Sequence, residues 1–359
     1  MPLDTAAATA ALKKVQDPEL KRDLVALGMI KNLAVDGAKV KLTVELTTPA
    51  CPLKDTIEKD VRAALSGAGF SEVALDFTAV VRGAPGTVES QLTPGVKNII
   101  LVGAGKGGVG KSTVSINLAV ALAKLGAKVG LLDADIYGPS LPILTGVTQK
   151  PTSSDGQKID PLEAHGLKVM SIGFLIDPDE ALVWRGPMVT GALMQLVKDV
   201  KWGELDYLVL DLPPGTGDVP LTLAQNVRAA GVVLVSTPQD VALADVIRAK
   251  LMFDKVNIPV LGIVENMSAF VCPHCHTETA IFDKGGARAA AEKMGIKFLG
   301  EVPIDLAIRE GGDKGMPVVA GHPDSPQAAA FFTVARNVGG AVSMSVVKAP
   351  KLPVIGAPR

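Results

Sequence analysis

The feature that most restricts what this chain can become is a glycine run set between a strand and a helix. Asn98-Ile-Ile-Leu-Val-Gly is an apolar stretch of buried-strand length, and Gly105-Lys106-Gly107-Gly108-Val109-Gly110-Lys111-Ser112-Thr113 follows it. Ser115 to Leu125 then continues as a helix. The run fits G-x-x-x-x-G-K-[ST] in the strand–loop–helix context that its chemistry requires. Glycines let backbone N–H groups turn inward around phosphate oxygens, and the helix N-terminus adds positive potential. Lys111 is placed to reach β- and γ-phosphates, and the Ser112 hydroxyl to ligate Mg²⁺. A plain Gly-rich turn is the alternative; the rarity of the full pattern and its placement speak against it.

Lys106 lies inside this loop, where an ordinary phosphate loop needs no cation. It either adds charge to its own phosphates or reaches across a dimer interface to a partner's nucleotide, as an arginine finger does. Spacing favours neither. Two more strand ends carry carboxylates: Leu131-Leu-Asp133-Ala-Asp135 and Leu208-Val-Leu-Asp211-Leu-Pro-Pro-Gly215. At the carboxyl edge of a parallel sheet they would adjoin the glycine loop, where a carboxylate can hold Mg²⁺ or orient an attacking water. Gly215 can bring its N–H close to a γ-phosphate. Capping of the following helices is the simpler role for one such Asp; three edges together make capping alone insufficient.

The organisation around these motifs is α/β. From Val96 onward, near-continuously apolar runs (99–102, 128–132, 205–210, 231–235 and 260–264) alternate with amphipathic helices. That predicts a mostly parallel sheet with helices on both faces. Residues 1–82 read instead as a small α+β domain: a helix near 5–15, a strand of period two over 39–46, a helix with Ile57, Val61, Ala64 and Leu65 on one face, and a strand near 77. Gly, Pro and small polar residues over 83–95 suggest a linker, 96–339 the main domain, and 340–359 a flexible tail.

Cys272-Pro-His-Cys275 carries two of the three cysteines. Redox dithiol and half of a metal site are both readings of C-x-x-C. Two thiolates are half of a four-cysteine set, and a two-fold dimer would supply the rest, giving a site suited to a 4Fe-4S cluster or zinc. With 48% hydrophobic and only 4% aromatic residues, the core must come from Ala, Val, Leu and Ile. Lys plus Arg number 36 against 37 for Asp plus Glu, so no global field draws the chain to nucleic acid or an acidic membrane surface. The N-terminus lacks the apolar segment of a secretory signal, and three cysteines form no disulfide framework, so a soluble cytoplasmic protein with reduced thiols is expected.

Lys-Gly-Gly-Val-Gly-Lys-Ser-Thr (106–113), Asp-Ala-Asp-Ile-Tyr-Gly-Pro-Ser (133–140), Asp-Leu-Pro-Pro-Gly-Thr-Gly-Asp (211–218), Glu-Asn-Met-Ser (265–268) and Cys-Pro-His-Cys (272–275) together resemble the Mrp/ApbC/Nbp35 iron-sulfur cluster carrier ATPases. Leu46-Thr-Thr-Pro-Ala-Cys51-Pro resembles the MIP18 domain that bacterial Mrp proteins carry at their N-terminus. The resemblance implies an ATP-hydrolysing homodimer of the deviant Walker A class. Such a dimer holds a labile 4Fe-4S cluster between subunits, works with cluster-assembly machinery and passes the cluster to apo-proteins. By motif position it implies Lys106 acting across the dimer, Lys111 as phosphate-loop lysine, Ser112 and Asp211 around Mg²⁺, and Asp135 orienting the hydrolytic water. It further implies Asn266 on the adenine with Pro303 and Asp305 nearby, and Cys272 and Cys275 as cluster ligands. Cys51 is either an accessory thiol or a small buried hydrophobe. The competing class is a MinD/ParA-type positioning ATPase, which binds membrane or DNA. The proline-bearing C-terminus shows no membrane-helix periodicity and the balanced charge no DNA surface, so neither nucleic acid nor membrane is expected as a partner.

Overall fold

The structure, a computed structural model, describes residues 3–83, 92–177, 186–275 and 277–348. The chain divides into two compact units, Met1–Arg82 and Gly83–Arg359. The first begins with helix α1 (Thr5–Leu12), capped by the Asp4 side chain, and a small ladder of β1 (Gln16–Asp17) and β2 (Arg22–Asp23). A three-stranded sheet follows, from β3 (Ile30–Asp36), β4 (Lys39–Leu46) and, after helix α2 (Lys54–Gly67), β5 (Glu72–Ala79). Strand β4 is central, antiparallel to β3 and parallel to β5. Its alternating Val40, Leu42, Val44 and Leu46 close on Ile57, Val61 and Leu65 of α2, which recur at helical spacing.

The second unit starts with β6 (Val96–Gly103), α3 (Lys111–Lys124), β7 (Val129–Asp133), α4 (Leu141–Thr145), β8 (Leu162–Ala164) and β9 (Leu167–Ser171). It continues through α5 (Gly186–Lys198), β10 (Leu205–Asp211), α6 (Asp218–Asn226), β11 (Ala229–Ser236), α7 (Asp240–Lys255) and β12 (Val260–Val271). It ends with β13 (Glu278–Thr279), α8 (Gly286–Met294), β14 (Phe298–Ile304), α9 (Leu306–Asp313), α10 (Val318–Gly321) and α11 (Pro326–Lys348). Strands β12, β11, β6, β10, β7 and β9 lie side by side and parallel, β14 extends the sheet beyond β12, and among the described residues only the short β8 and β13 run antiparallel. Because β6 sits near the middle of this order, flanked by β11 and β10, the loop that follows it opens at the carboxyl edge beside the ends of both neighbours.

The expected fold class holds, with three local differences. Sequence reading overlooked β3, β9 and β14 and the short β1, β2, β8 and β13. Residues 92–95 of the supposed linker are packed: Thr93 is buried, and Gly95 accepts the Leu205 N–H and backs onto Gly203. Helix α11 runs to Lys348 through positions read as tail. Val338, Ala341 and Val342 are buried, so packing against α3 and β14 outweighs the poor helix propensity of Gly339-Gly340. Residues 84–91 of the linker reading and 349–359 of the tail reading fall outside the described residues.

Candidate functional site

The glycine loop is shaped by what lies over it. Gly110 ends the loop at φ +79°, the left-handed region, and α3 begins at Lys111. A Cβ at Gly110 would collide with Nδ2 of Asn266, whose buried amide donates to the Val109 carbonyl at 2.9 Å. Gly105 approaches the Asp245 backbone of α7 just as closely. Gly107 and Gly108 are exposed, while the Val109 side chain is buried beneath them. Thr113, half-buried, accepts the Asn117 side-chain amide on its carbonyl.

Under the loop is a desolvated charge centre. Lys111 Nζ stands 2.6 Å from Asp211 Oδ1, with the two side chains 7% and 4% exposed. Ser112 Oγ donates to Asp211 Oδ2 at 2.5 Å, and Ser115 Oγ donates to Asp211 Oδ1 at 2.6 Å. Asp211 is thus brought to Lys111 and Ser112, as the motifs predict. Sequence reading missed Ser115, which shares a helix face with Lys111 one turn earlier. A hydroxyl and a carboxylate in contact are a donor set of hard oxygens that suits Mg²⁺.

The end of β7 is organised by Asp133, fully buried. It accepts N–H bonds from Asp135 (3.0 Å), Ser140 (2.9 Å) and Leu141 (3.1 Å), and the Ser171 hydroxyl at 3.2 Å. It therefore folds the 134–141 loop and caps the start of α4, the simpler role considered above. Burial, reinforced by the Asp211 charge, raises its carboxyl to about 7. Asp135, half-buried on the loop that Asp133 shapes, is raised chiefly by burial, with Lys111 opposing. Its carboxylate accepts from Gly138 N–H at 3.3 Å.

Two expectations meet a different geometry. The Gly215 N–H, at φ +90°, donates to Ala104 O at 3.0 Å and so ties the Asp211 loop to the end of β6 instead of facing outward. Nδ2 of Asn266 likewise donates to the glycine loop. Pro303 lies near the end of β14 and Asp305 directly follows it; the strand pairs Val302 with Asn266. Asp305 caps α9 through the Ala307 N–H and also accepts the Gln327 side-chain amide. Lys106 is half-buried and has no ion pair or side-chain hydrogen bond among the described residues.

Strand β12 passes Asn266, bulges where Met267 adopts φ +58°, and ends at the cysteines. Cys272 N–H donates to Thr277 O at 3.0 Å, and β13 holds the return through Phe270–Thr279 and Val271–Glu278 pairs. Cys272 is half-buried and Cys275 exposed. Hydrogen bonding with the Thr277 hydroxyl and N–H, then with Cys272, pulls the Cys275 thiol below its ordinary pKa. Among the described residues no three His, Cys, Asp or Glu side chains gather into a metal site. Cys51, in the first unit, is half-buried, and burial pushes its thiol up.

Residues 95–339 match the family model described as the NUBPL iron-transfer P-loop NTPase. The chain belongs to that family. Residues 5–89 of this P-loop NTPase match a second model, described as an iron-sulfur cluster assembly protein. A protein of Deinococcus radiodurans named iron-sulfur cluster carrier protein is 50% identical over 96% of this chain and 98% of its own length. A mitochondrial protein of Arabidopsis thaliana, named as an iron-sulfur protein required for NADH dehydrogenase, is 56% identical over 68% of this chain and 78% of its own. Among solved structures, a nucleotide-binding protein from Archaeoglobus fulgidus in complex with ADP superposes with a TM-score of 0.59 at 42% identity, covering 70% of this chain and 98% of that one. The MinD cell-division ATPase of Pyrococcus furiosus reaches 0.52 at 26% identity, over 67% and 98%. No helix among the described residues is long and apolar enough to cross a membrane.

Proposed function

We propose that this P-loop NTPase is an ATP-hydrolysing carrier that takes a 4Fe-4S cluster as cargo between two copies of the chain and delivers it to apo-proteins. The observation that carries the reading is the course of β12. One strand places Asn266 on the phosphate loop and, six residues on, presents Cys272, with Cys275 in the turn beyond. Two thiols on a short turn, Cys272 half-buried and Cys275 exposed, are half of a tetrathiolate site, and a second copy related by two-fold symmetry supplies the other half.

In this reading Lys111 exchanges its Asp211 partner for the β- and γ-phosphates, and Asp211 and Ser112 hold Mg²⁺, which would neutralise phosphate charge. Asp135, carried on the loop that Asp133 folds, orients the attacking water. Lys106, with no partner of its own among the described residues, serves the nucleotide of the other copy. Asn266 and the Pro303–Asp305 loop lie at the base. Hydrolysis acts as a slow gate on how tightly the copies close, and so on how exposed the cargo is. The names carried by the relatives, and the ADP complex of the archaeal structure, support the reading.

Anaerobic reconstitution with iron and sulfide tests it. Wild type is expected to hold four irons and four acid-labile sulfides per two chains, as about expected for one shared cluster, and to elute as a dimer. Cys272→Ala is expected to lose both. Unchanged iron and sulfide in that variant would overturn the reading.

A further inference from the structure

A fully buried carboxylate stands at the root of the cysteine turn. Glu265 of β12 accepts the Gly285 N–H on Oε1 at 2.9 Å and the Ala287 N–H on Oε2 at 2.8 Å. These N–H groups open helix α8, whose N-cap residue, Gly285, has no side chain to supply such a bond. A local Ser or Asp would cap the helix without burying a charge in the sheet. Here the cap comes from twenty residues back, on another element, and charge-assisted bonds at a helix N-terminus offset the burial of the carboxylate.

The position joins two places. The segment from Cys272 to Lys284 leaves β12 at one end and enters α8 at the other, so Glu265 closes it at the base. The start of α8 is fixed from its other side as well: a Cβ at Gly286 would strike the Pro238 carbonyl oxygen, just beyond β11, at 2.3 Å. Successive side chains on a strand point to opposite faces. The neighbour of Glu265 is Asn266, whose Nδ2 donates to the phosphate loop. One dipeptide thus holds the phosphate loop with one side chain and the root of the turn with the other. The remaining ties of the segment, the β13 pairs and the Lys284 bridges to Glu278 and Glu301, lie nearer the surface, where such ion pairs are weak.

We propose that Glu265 is the positioning residue through which ordering of the phosphate loop by bound nucleotide reaches the cysteine turn. The proposal deepens the carrier reading above and rests on it. A loop wrapped around phosphates has fewer open arrangements and holds Asn266 more firmly. Glu265 shares that stretch of backbone, so the α8 cap opens less often, and so does the turn it closes. Glu265→Gln keeps the shape but replaces one acceptor oxygen by an NH₂ group, which leaves one of the two N–H groups without its bond and slackens the root.

The test is alkylation of the iron-free full chain by iodoacetamide, read by mass spectrometry at each cysteine, with and without Mg²⁺–ADP at a concentration that calorimetry shows to saturate. In wild type, ADP is expected to slow Cys272 by about fivefold or more, as ordinary coupling between sites allows, and to leave Cys51 unchanged. In Glu265→Gln the ADP effect on Cys272 is expected to shrink to less than about twofold, below that coupling range. A cap with only a structural role would instead speed Cys272 equally with and without ADP. That result, an ADP effect kept in full by the variant, or no ADP effect in wild type would overturn the proposal. Should the variant fail to fold or to bind ADP, hydrogen exchange of residues 277–287 in wild type decides: ADP is expected to slow it, and unchanged exchange would overturn the proposal. None of these readouts needs a cluster, so the carrier reading stands or falls separately, on the iron and sulfide content.

Discussion

The phosphate loop and the cysteine turn are joined by one strand yet built in opposite ways. Around Lys111 the groups are buried and the carboxylates saturated: Asp211 takes a lysine and two hydroxyls, Asp133 three N–H groups and a hydroxyl. Around Cys275 the chain is exposed, held by a two-residue strand and by Lys284, which bridges the surface carboxylate of Glu278. Ion pairs of that exposed kind contribute little, about 0–1 kcal/mol. Charge aimed at a polyanion is effective when it is desolvated and preorganised. Under the carrier reading proposed above, thiols that meet a second chain and let go of cargo have to stay at the surface, and Cys275 does.

Substitutions that break the contrast should be felt most at the buried end. Lys111→Ala leaves Asp211 buried without its cation; a loss of about 3–5 kcal/mol in urea unfolding is expected, together with loss of ATP binding in equilibrium titration. Retained binding would show the buried centre to be structural only. Next is a pair within the loop. Gly108 and Gly110 both have φ near +80°, but a Cβ at Gly108 meets nothing within 4 Å, whereas at Gly110 it strikes Asn266. Gly108→Ala should cost about 1–2 kcal/mol of backbone strain. Gly110→Ala should cost more and should also displace Asn266, read as a further fall in nucleotide affinity. Equal costs would show the Asn266 contact to be soft.

A smaller effect is expected in pH dependence. Asp133 titrates near 3.8 when unfolded and near 7 when folded, so the native state binds its proton more tightly. That contribution is complete below about pH 4 and is lost as pH rises towards 7. In nucleotide-free protein without Mg²⁺, wild-type Tm should therefore fall across that window relative to Asp133→Asn; parallel profiles would refute the assignment. The smallest effect on stability belongs to the turn. Cys275→Ser should change unfolding by less than about 0.5 kcal/mol, as an exposed site allows. In metal-free protein Cys275 should nevertheless alkylate faster than Cys51, whose thiol is raised by burial. Mass-spectrometric labelling rates in the reverse order would contradict the contrast in thiol environment.

Much of this was legible from residue order, for a physical reason. The phosphate loop, the carboxylates at strand ends and the C-x-x-C pair are local motifs whose spacing carries their chemistry. Strand β4 alternates and β6 is continuously apolar from Ile99 to Val102, so both announce themselves. Strand β14 does not: Phe298-Leu-Gly-Glu-Val-Pro-Ile mixes charge, Gly and Pro, and is made a strand by pairing with β12. Helix α11 looks finished at Gly339-Gly340 and continues because Ala341 and Val342 beyond them are buried.

By itself, the order of residues determined that a polyphosphate loop would form on a parallel α/β sheet and that two thiols would sit together, because those outcomes depend on backbone freedom and short-range spacing. Tertiary structure decided which hydrogen bonds those groups spend on each other: Gly215 on Ala104, Asn266 on Val109, Asp133 on its own loop. Such pairings join positions far apart in the chain, where desolvation and packing, rather than local propensity, select the partner.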